Sequence, residues 1–303
     1  MLGAVAGFKI ELKFNTRPEP VPPTPASPTL EPSPTLATMT SPMTRPEPAR
    51  SASICRRTFT QQAASLVTLG SFGLSERCHA ETPAKPIRVR VWCEGTAPKS
   101  VYPNDIDGAI ADSLRKQPGL DVSSARLDSA DAGLSDASLD ATDVLVWWGR
   151  LRHADLPDSR ARAIAARVRA GKLGFVALHA SCLSKPFVEL MGGRCELGGW
   201  REDGRPERVE ITTPGHPIAR GISPFLIPRT SMFAEPFRVP MPETVVMTST
   251  FDRGETFRSG LTWAVDKGRV AYFRPGHDGF PIFFHPSVRQ VIANAVTWTA
   301  GRA

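Results

Sequence analysis

Residues 143–182, DVLVWWGRLRHADLPDSRARAIAARVRAGKLGFVALHASC, decide the fold. Within them, 143–149 (DVLVWWG) and 173–178 (LGFVAL) are short, continuous apolar runs, as expected of strands buried on both faces of a sheet. Between these runs, 157–171 (PDSRARAIAARVRAG) has Pro near its start and Gly at its end, the punctuation of a helix. Strand, helix and strand in that order imply a right-handed crossover in a parallel sheet. Ligands of such sheets bind beyond the carboxyl ends of the strands. The residues to watch are therefore His153, after the first run, and His179 and Cys182, after the second.

The same reading extends both ways. Residues 87–93 (IRVRVWC) alternate and read as the first strand, with Glu94 directly after it. Residues 104–117 read as a helix stopped by Pro118-Gly119, 120–127 as a second strand, 135–143 as a short helical turn and 183–193 as a short helix. The second half changes character. Residues 207–222, 243–251, 259–265 and 268–276 read as strands of the meander or hairpin type, and 285–300 as a closing amphipathic helix. Pro-bracketed loops carry Glu235 and His277. The expected fold is α/β: a doubly wound, mainly parallel central sheet with an antiparallel extension. There is no Gly-rich phosphate fingerprint, so no nucleotide cofactor is expected.

The N-terminus is of another kind. Residues 1–50 hold 11 of the 29 prolines, too little apolar area to offset ordering entropy, and read as disordered. Residues 51–80 combine Arg56-Arg57, an apolar segment from Ala63 to Leu74 and a small-x-small site, Cys78-His79-Ala80. That order is a secretory signal, and the paired arginines point to the Tat export machinery and an extracytoplasmic or periplasmic location. One domain, 81–303, remains. Its three dispersed cysteines, Cys93, Cys182 and Cys195, are not a disulfide framework. The formal charge of +7 is not gathered into a basic patch, so nucleic acid is not an expected partner.

Cys182 invites a nucleophile reading, because small residues surround a sharp strand-to-helix turn. A cysteine nucleophile also needs a base oriented by an acid. Glutamine amidotransferases supply these with a Gly-x-Cys-x-Gly elbow and a later His-x-Glu. Here HASCLSK (179–185) lacks both glycines, and the later histidines read HPI, HDG and HPS. His179, directly after its strand, is the stronger candidate.

The motifs WWGRLRH (147–153), ALHASCLSK (177–185), LMGG (190–193), WRE (200–202), PGHPIARGI (214–222), EPF (235–237), FRSG (257–260) and FRPGH (273–277) occur in the order seen in the trehalose utilisation (ThuA-like) family. The chain resembles that family across nearly all of 87–300. The resemblance implies a flavodoxin-like sandwich similar to class I glutamine amidotransferases without their catalytic triad. It also implies a role in trehalose or related disaccharide metabolism, on oxidised (keto) sugars. Glu94, His153, His179, Glu235, Arg258, Arg274 and His277 match positions of the family pattern. Asp107, Arg150 and Cys182 depart from it, each standing where the family commonly has His.

Three readings of this set stay open. In one, His153, His179 and His277 with Glu94 or Glu235 hold Zn²⁺, Mn²⁺ or Fe²⁺, which would polarise a sugar carbonyl. In the second, Glu94, His179 and Glu235 do metal-free acid–base work while Arg258 and Arg274 orient the substrate. In the third, the domain is a non-catalytic carbohydrate-binding or structural module, with Trp147, Trp148, Trp200 and Trp263 as an apolar platform. The expected partner is a small sugar or sugar derivative, and a homo-oligomer is compatible with each reading.

Overall fold

The computed structural model describes residues 85–193 and 195–302. The readings of 1–50 and 51–80, and of the first residues of 81–303, lie outside the described residues. A nine-stranded mixed sheet runs through the domain in the order β2-β1-β3-β4-β9-β8-β7-β5-β6. Its strands are β1 (Ile87–Cys93), β2 (Leu120–Arg126), β3 (Val144–Trp148), β4 (Gly174–Leu178), β5 (Gly199–Ile211), β6 (Phe225–Ala234), β7 (Thr244–Phe251), β8 (Thr256–Val265) and β9 (Gly268–Phe273). The five strands from β2 to β9 in that order are parallel, and from β9 outward every pairing is antiparallel. The α/β class expected from the sequence is the class observed.

Alternation along the parallel strands builds a core on each face. Val89, Val91, Val144, Val146, Val176 and Leu178 point to one side, under α1 (Asp105–Leu114) and α5 (Pro286–Thr299). Trp92, Leu145, Trp147, Phe175 and Ala177 point to the other, under α3 (Asp158–Arg169) and α4 (Lys185–Leu190), which pack on each other. The short α2 (Asp136–Asp140) opens on Ser135, whose hydroxyl accepts the Ser138 N–H. Trp92 and Trp147 stack with centroids 3.7 Å apart, and Trp148 and Trp263 are buried too. Each such side chain removed from water contributes roughly 1.5–3 kcal/mol. Of the four tryptophans read as an apolar platform, three are core and only Trp200 is exposed.

Two differences from the sequence reading matter. The strand read at 207–222 begins earlier, at Gly199, and ends at Ile211. Residues 214–221 form turns around a short 3-10 helix, Pro217–Ala219, instead, and His216 Nδ1 caps it by accepting the Ile218 N–H at 3.2 Å. β6 carries Pro228 and alternates poorly, so periodicity misses it. It lies at the sheet edge, where a missing donor is tolerated.

Candidate functional site

The carboxyl ends of β1, β3, β4 and β9 are neighbours in the sheet, and each delivers candidate residues to one rim. β1 is followed by buried Glu94, β3 by Gly149 and His153, β4 by His179, and β9 by the loop 274–278. From the antiparallel extension, Glu202 on β5 and Phe233 on β6 reach the same place.

Glu94 and His153 form a pair. Glu94 Oε1 lies 3.3 Å from His153 Nδ1, and Oε2 accepts the Leu151 N–H at 2.7 Å. Burial pushes the His153 pKa down, against the pull of Glu94. The absence of a side chain at Gly149 makes the pairing possible, since a Cβ there would lie 2.8 Å from Glu94 Oε1 and 3.1 Å from His153 Nδ1. Ser181 ties the β3 and β4 loops together, accepting the Gly149 N–H at 2.9 Å and donating to the Trp147 carbonyl at 3.0 Å.

His179 and His277 face one another edge to face, centroids 5.4 Å apart. His179 is left-handed (φ 57°), a conformation that costs a non-glycine residue of order 1 kcal/mol and is characteristic of residues held for a task. Its ring stacks on Phe233 at 5.0 Å. Its Nδ1 lies 3.2 Å from the carbonyl oxygen of Arg274. A carbonyl only accepts, so Nδ1 carries the proton and Nε2 is left as an acceptor. His277 is the reverse: its Nδ1 accepts the Gly279 N–H at 2.9 Å, so Nε2 carries the proton and is left as a donor. Burial, then the charge of neighbouring His277 and Arg274, drives the His179 pKa well down. Burial and Arg150 lower that of His277. Both rings are therefore neutral at physiological pH.

A charged frame surrounds the two rings. Arg150 bonds Glu202 and lies 3.5 Å from Asp278, while His277 Nε2 is 3.4 Å from Glu202 and its Nδ1 is 3.2 Å from Asp278. Burial acts to raise the Glu202 pKa, but Arg150 and His277 outweigh it and hold it low. Glu202, Asp278 and Ser181 were not among the candidates read from the sequence. The only signals were their neighbours: WRE, Asp278 beside His277, and Ser181 two residues after His179.

The remaining candidates are each engaged by a charged partner. Arg258 grips Glu235 with Nε–Oε1 at 2.8 Å and Nη2–Oε2 at 3.1 Å, while the N–H groups of Arg258 and Phe237 bond the same carboxylate at 3.0 and 2.5 Å. Burial raises the Glu235 pKa, and these donors more than reverse it. Arg274 is fully buried, paired with Glu207 and bonded to the Ser231 carbonyl and, at 3.0 Å, to Thr230 Oγ1. The Arg274 backbone carbonyl meets His179 directly, while its guanidinium lies 5.5 Å from the centroid of the Phe233 ring on which His179 stacks.

The residues present do not fit a three-histidine metal ion. Among the described residues, the group with ligand atoms within 4.8 Å of one another is Cys93, Asp105 and Asp107, and His153, His179 and His277 form no such group. Arg150 adds a positive charge beside His179 and His277. The Cys93 group is a poor cation cage: burial pushes the thiol pKa up, and Arg126 already holds Asp107 at 2.9 Å.

Residues 88–299 match a family model described as ThuA, trehalose utilisation. Solved structures of similar fold include a ThuA-like protein from Bacteroides uniformis ATCC 8492, with 16% identity, TM-score 0.52, and coverage of 73% of this chain and 94% of that one. A ThuA-like protein from Parabacteroides merdae ATCC 43184 shows 15% identity and TM-score 0.54, over 71% and 90% of the two chains. A cytoplasmic protein from Salmonella typhimurium shows 14% identity and TM-score 0.51, over 70% and 99%. At these identities the likeness is one of fold. No curated protein matches the sequence.

Proposed function

From the premise that this chain belongs to the trehalose utilisation (ThuA) family, we propose that it catalyses proton transfer on a keto derivative of a disaccharide, using His179 and His277. The opposed tautomers carry this reading: a neutral acceptor, His179 Nε2, and a neutral donor, His277 Nε2–H, at one rim. A neutral imidazole with a lowered pKa is an effective partner for a developing enolate oxygen. The C–H bond beside the sugar carbonyl breaks and its proton goes to His179 Nε2. The electron pair moves to the carbonyl oxygen, which accepts a hydrogen bond from His277 Nε2–H. Returning the proton to the same carbon completes an exchange, whereas returning it to the former carbonyl carbon, as the neighbouring hydroxyl's proton passes to the enolate oxygen, completes an isomerisation. Glu94 lies 3.3 Å from His153 at the same rim, and Arg150 bonds Glu202, which is 3.4 Å from His277.

The test is solvent deuterium incorporation into a 3-keto-disaccharide, followed by NMR, with metal content measured on protein purified without chelator. Wild type is expected to exchange the proton next to the carbonyl. His179→Ala is expected to lose about 10²–10⁴-fold. Sugar binding with no exchange would support a non-catalytic binding module instead. Exchange that requires a stoichiometric metal ion would overturn the two-histidine chemistry.

A further inference from the structure

Trp200 is 52% exposed, whereas Trp92, Trp147, Trp148, Trp263 and Trp298 are all buried. A large apolar side chain left in water beside a candidate site is informative in a way that scattered surface leucines are not. β5 places it. Trp200 pairs directly with Phe233 of β6, and directly paired residues share a face. Phe233 is the ring on which His179 stacks. Two residues along, on the same face, Glu202 reaches Arg150 and His277. The intervening Arg201 is bound to Asp203, Asp252 and Glu255. The Trp200 indole therefore stands on the face that carries the histidine pair.

A second exposed apolar group adjoins the rim from the parallel half. Leu151 is 58% exposed, and its own N–H is bonded to Glu94. Trp200 and Leu151 thus each lie close in the chain to a polar group of the site, Glu202 for one and Glu94 for the other. A pyranose ring has this pattern of needs: a flat C–H face that gains from an aromatic surface, and hydroxyls that seek acceptors and donors around it. Building on the proposed sugar chemistry, we infer that Trp200 is the stacking platform for one pyranose ring of the substrate, with Glu202 taking a ring hydroxyl and Leu151 bordering the ring. Trp200 acts on binding and leaves the proton transfer to His179 and His277.

The experiment is saturation-transfer NMR on the full chain, with trehalose and 3-keto-trehalose as probes. It compares wild type, Trp200→Ala, Trp200→Phe and His179→Ala. Wild type should transfer saturation to ring C–H protons. Trp200→Ala should weaken the dissociation constant about tenfold or more, and Trp200→Phe should restore most of it. In exchange assays Trp200→Ala should raise KM with little change in kcat. His179→Ala should bind within a few-fold of wild type while losing exchange. Unchanged affinity in Trp200→Ala, or no binding of either probe by wild type, overturns the platform. Wild type that binds through Trp200 but never exchanges a proton overturns the histidine chemistry and leaves the platform standing.

Discussion

His179 Nδ1 lies 3.2 Å from the backbone carbonyl oxygen of Arg274, a contact spanning 95 residues that joins the ends of the adjacent parallel strands β4 and β9. It decides which nitrogen of His179 is the acceptor. It also explains how Arg274 serves the site with its side chain buried against Glu207. Around this contact, the left-handed backbone of His179 and the loop carrying His277 become one unit.

Stability should fall as pH drops from 7.5 to 5. Burial lowers the pKa of His153, His179 and His277 in the folded state, while the unfolded chain titrates near the ordinary value of about 6.5. Below that value the unfolded state binds protons that the folded state refuses. The contribution of these groups is therefore complete above about 6.5 and lost progressively below it. Each such histidine adds a slope of up to about 1.4 kcal/mol per pH unit. Urea midpoints across this range should show the decline, and His179→Gln should flatten it. A pH-independent midpoint would contradict neutral, buried imidazoles.

Gly149→Ala should damage activity more than folding. The new Cβ would press on Glu94 Oε1 and on the His153 ring, the movable ends of two side chains. We expect a thermal midpoint close to wild type and proton exchange reduced roughly 10²-fold, in line with a misplacement of about 1 Å. Wild-type exchange would show that the Glu94–His153 pair does not support the reaction.

Arg258→Lys should behave as a loss, not as a conservative change. Arg258 meets Glu235 with a planar fork, and an ammonium cannot reproduce two parallel bonds. Because both side chains are partly exposed, the expected cost is modest, about 1–2 kcal/mol in urea unfolding. Glu235→Gln should weaken the same clamp while leaving the pH profile of exchange in place. A shifted profile would return Glu235 to the chemistry.

Cys182 should be chemically silent. It is fully buried, and desolvation pushes its thiol up to about 12. Iodoacetamide should leave it unmodified in the native protein, with mass spectrometry showing alkylation only after denaturation. Cys182→Ser should keep proton exchange within a few-fold of wild type. Rapid native alkylation with loss of activity would revive the nucleophile.

The sheet was legible because its evidence is local. DVLVWWG and LGFVAL are apolar on both faces, and the punctuation by Pro157 and Gly171 lies within the same 40 residues. The rim followed from strand direction alone, which is why His153, His179 and Glu94 could be named in advance. β6 was not legible, since an edge strand can carry Pro228 and polar residues without penalty. Glu202 was not legible either, because a charged residue in a half-exposed strand looks the same whether or not it faces a histidine.

By itself the sequence determined the α/β class, the order of the elements in the parallel half and the edge of the sheet on which chemistry-bearing residues collect. Those properties depend on periodicity and turn residues, whose effects extend over a few positions. The tertiary structure alone decided what each side chain is free to do. Glu235 meets Arg258 across 23 residues, and Arg274 meets Glu207 across 67, so groups that look like catalysts and substrate clamps in the chain are held in ion pairs. His179 and His277, 98 positions apart, are left neutral and oppositely protonated. Burial sets the charge of both imidazoles and depends on the whole fold; the His179 tautomer is set by a carbonyl 95 residues away, whereas that of His277 is set by the Gly279 N–H two residues on.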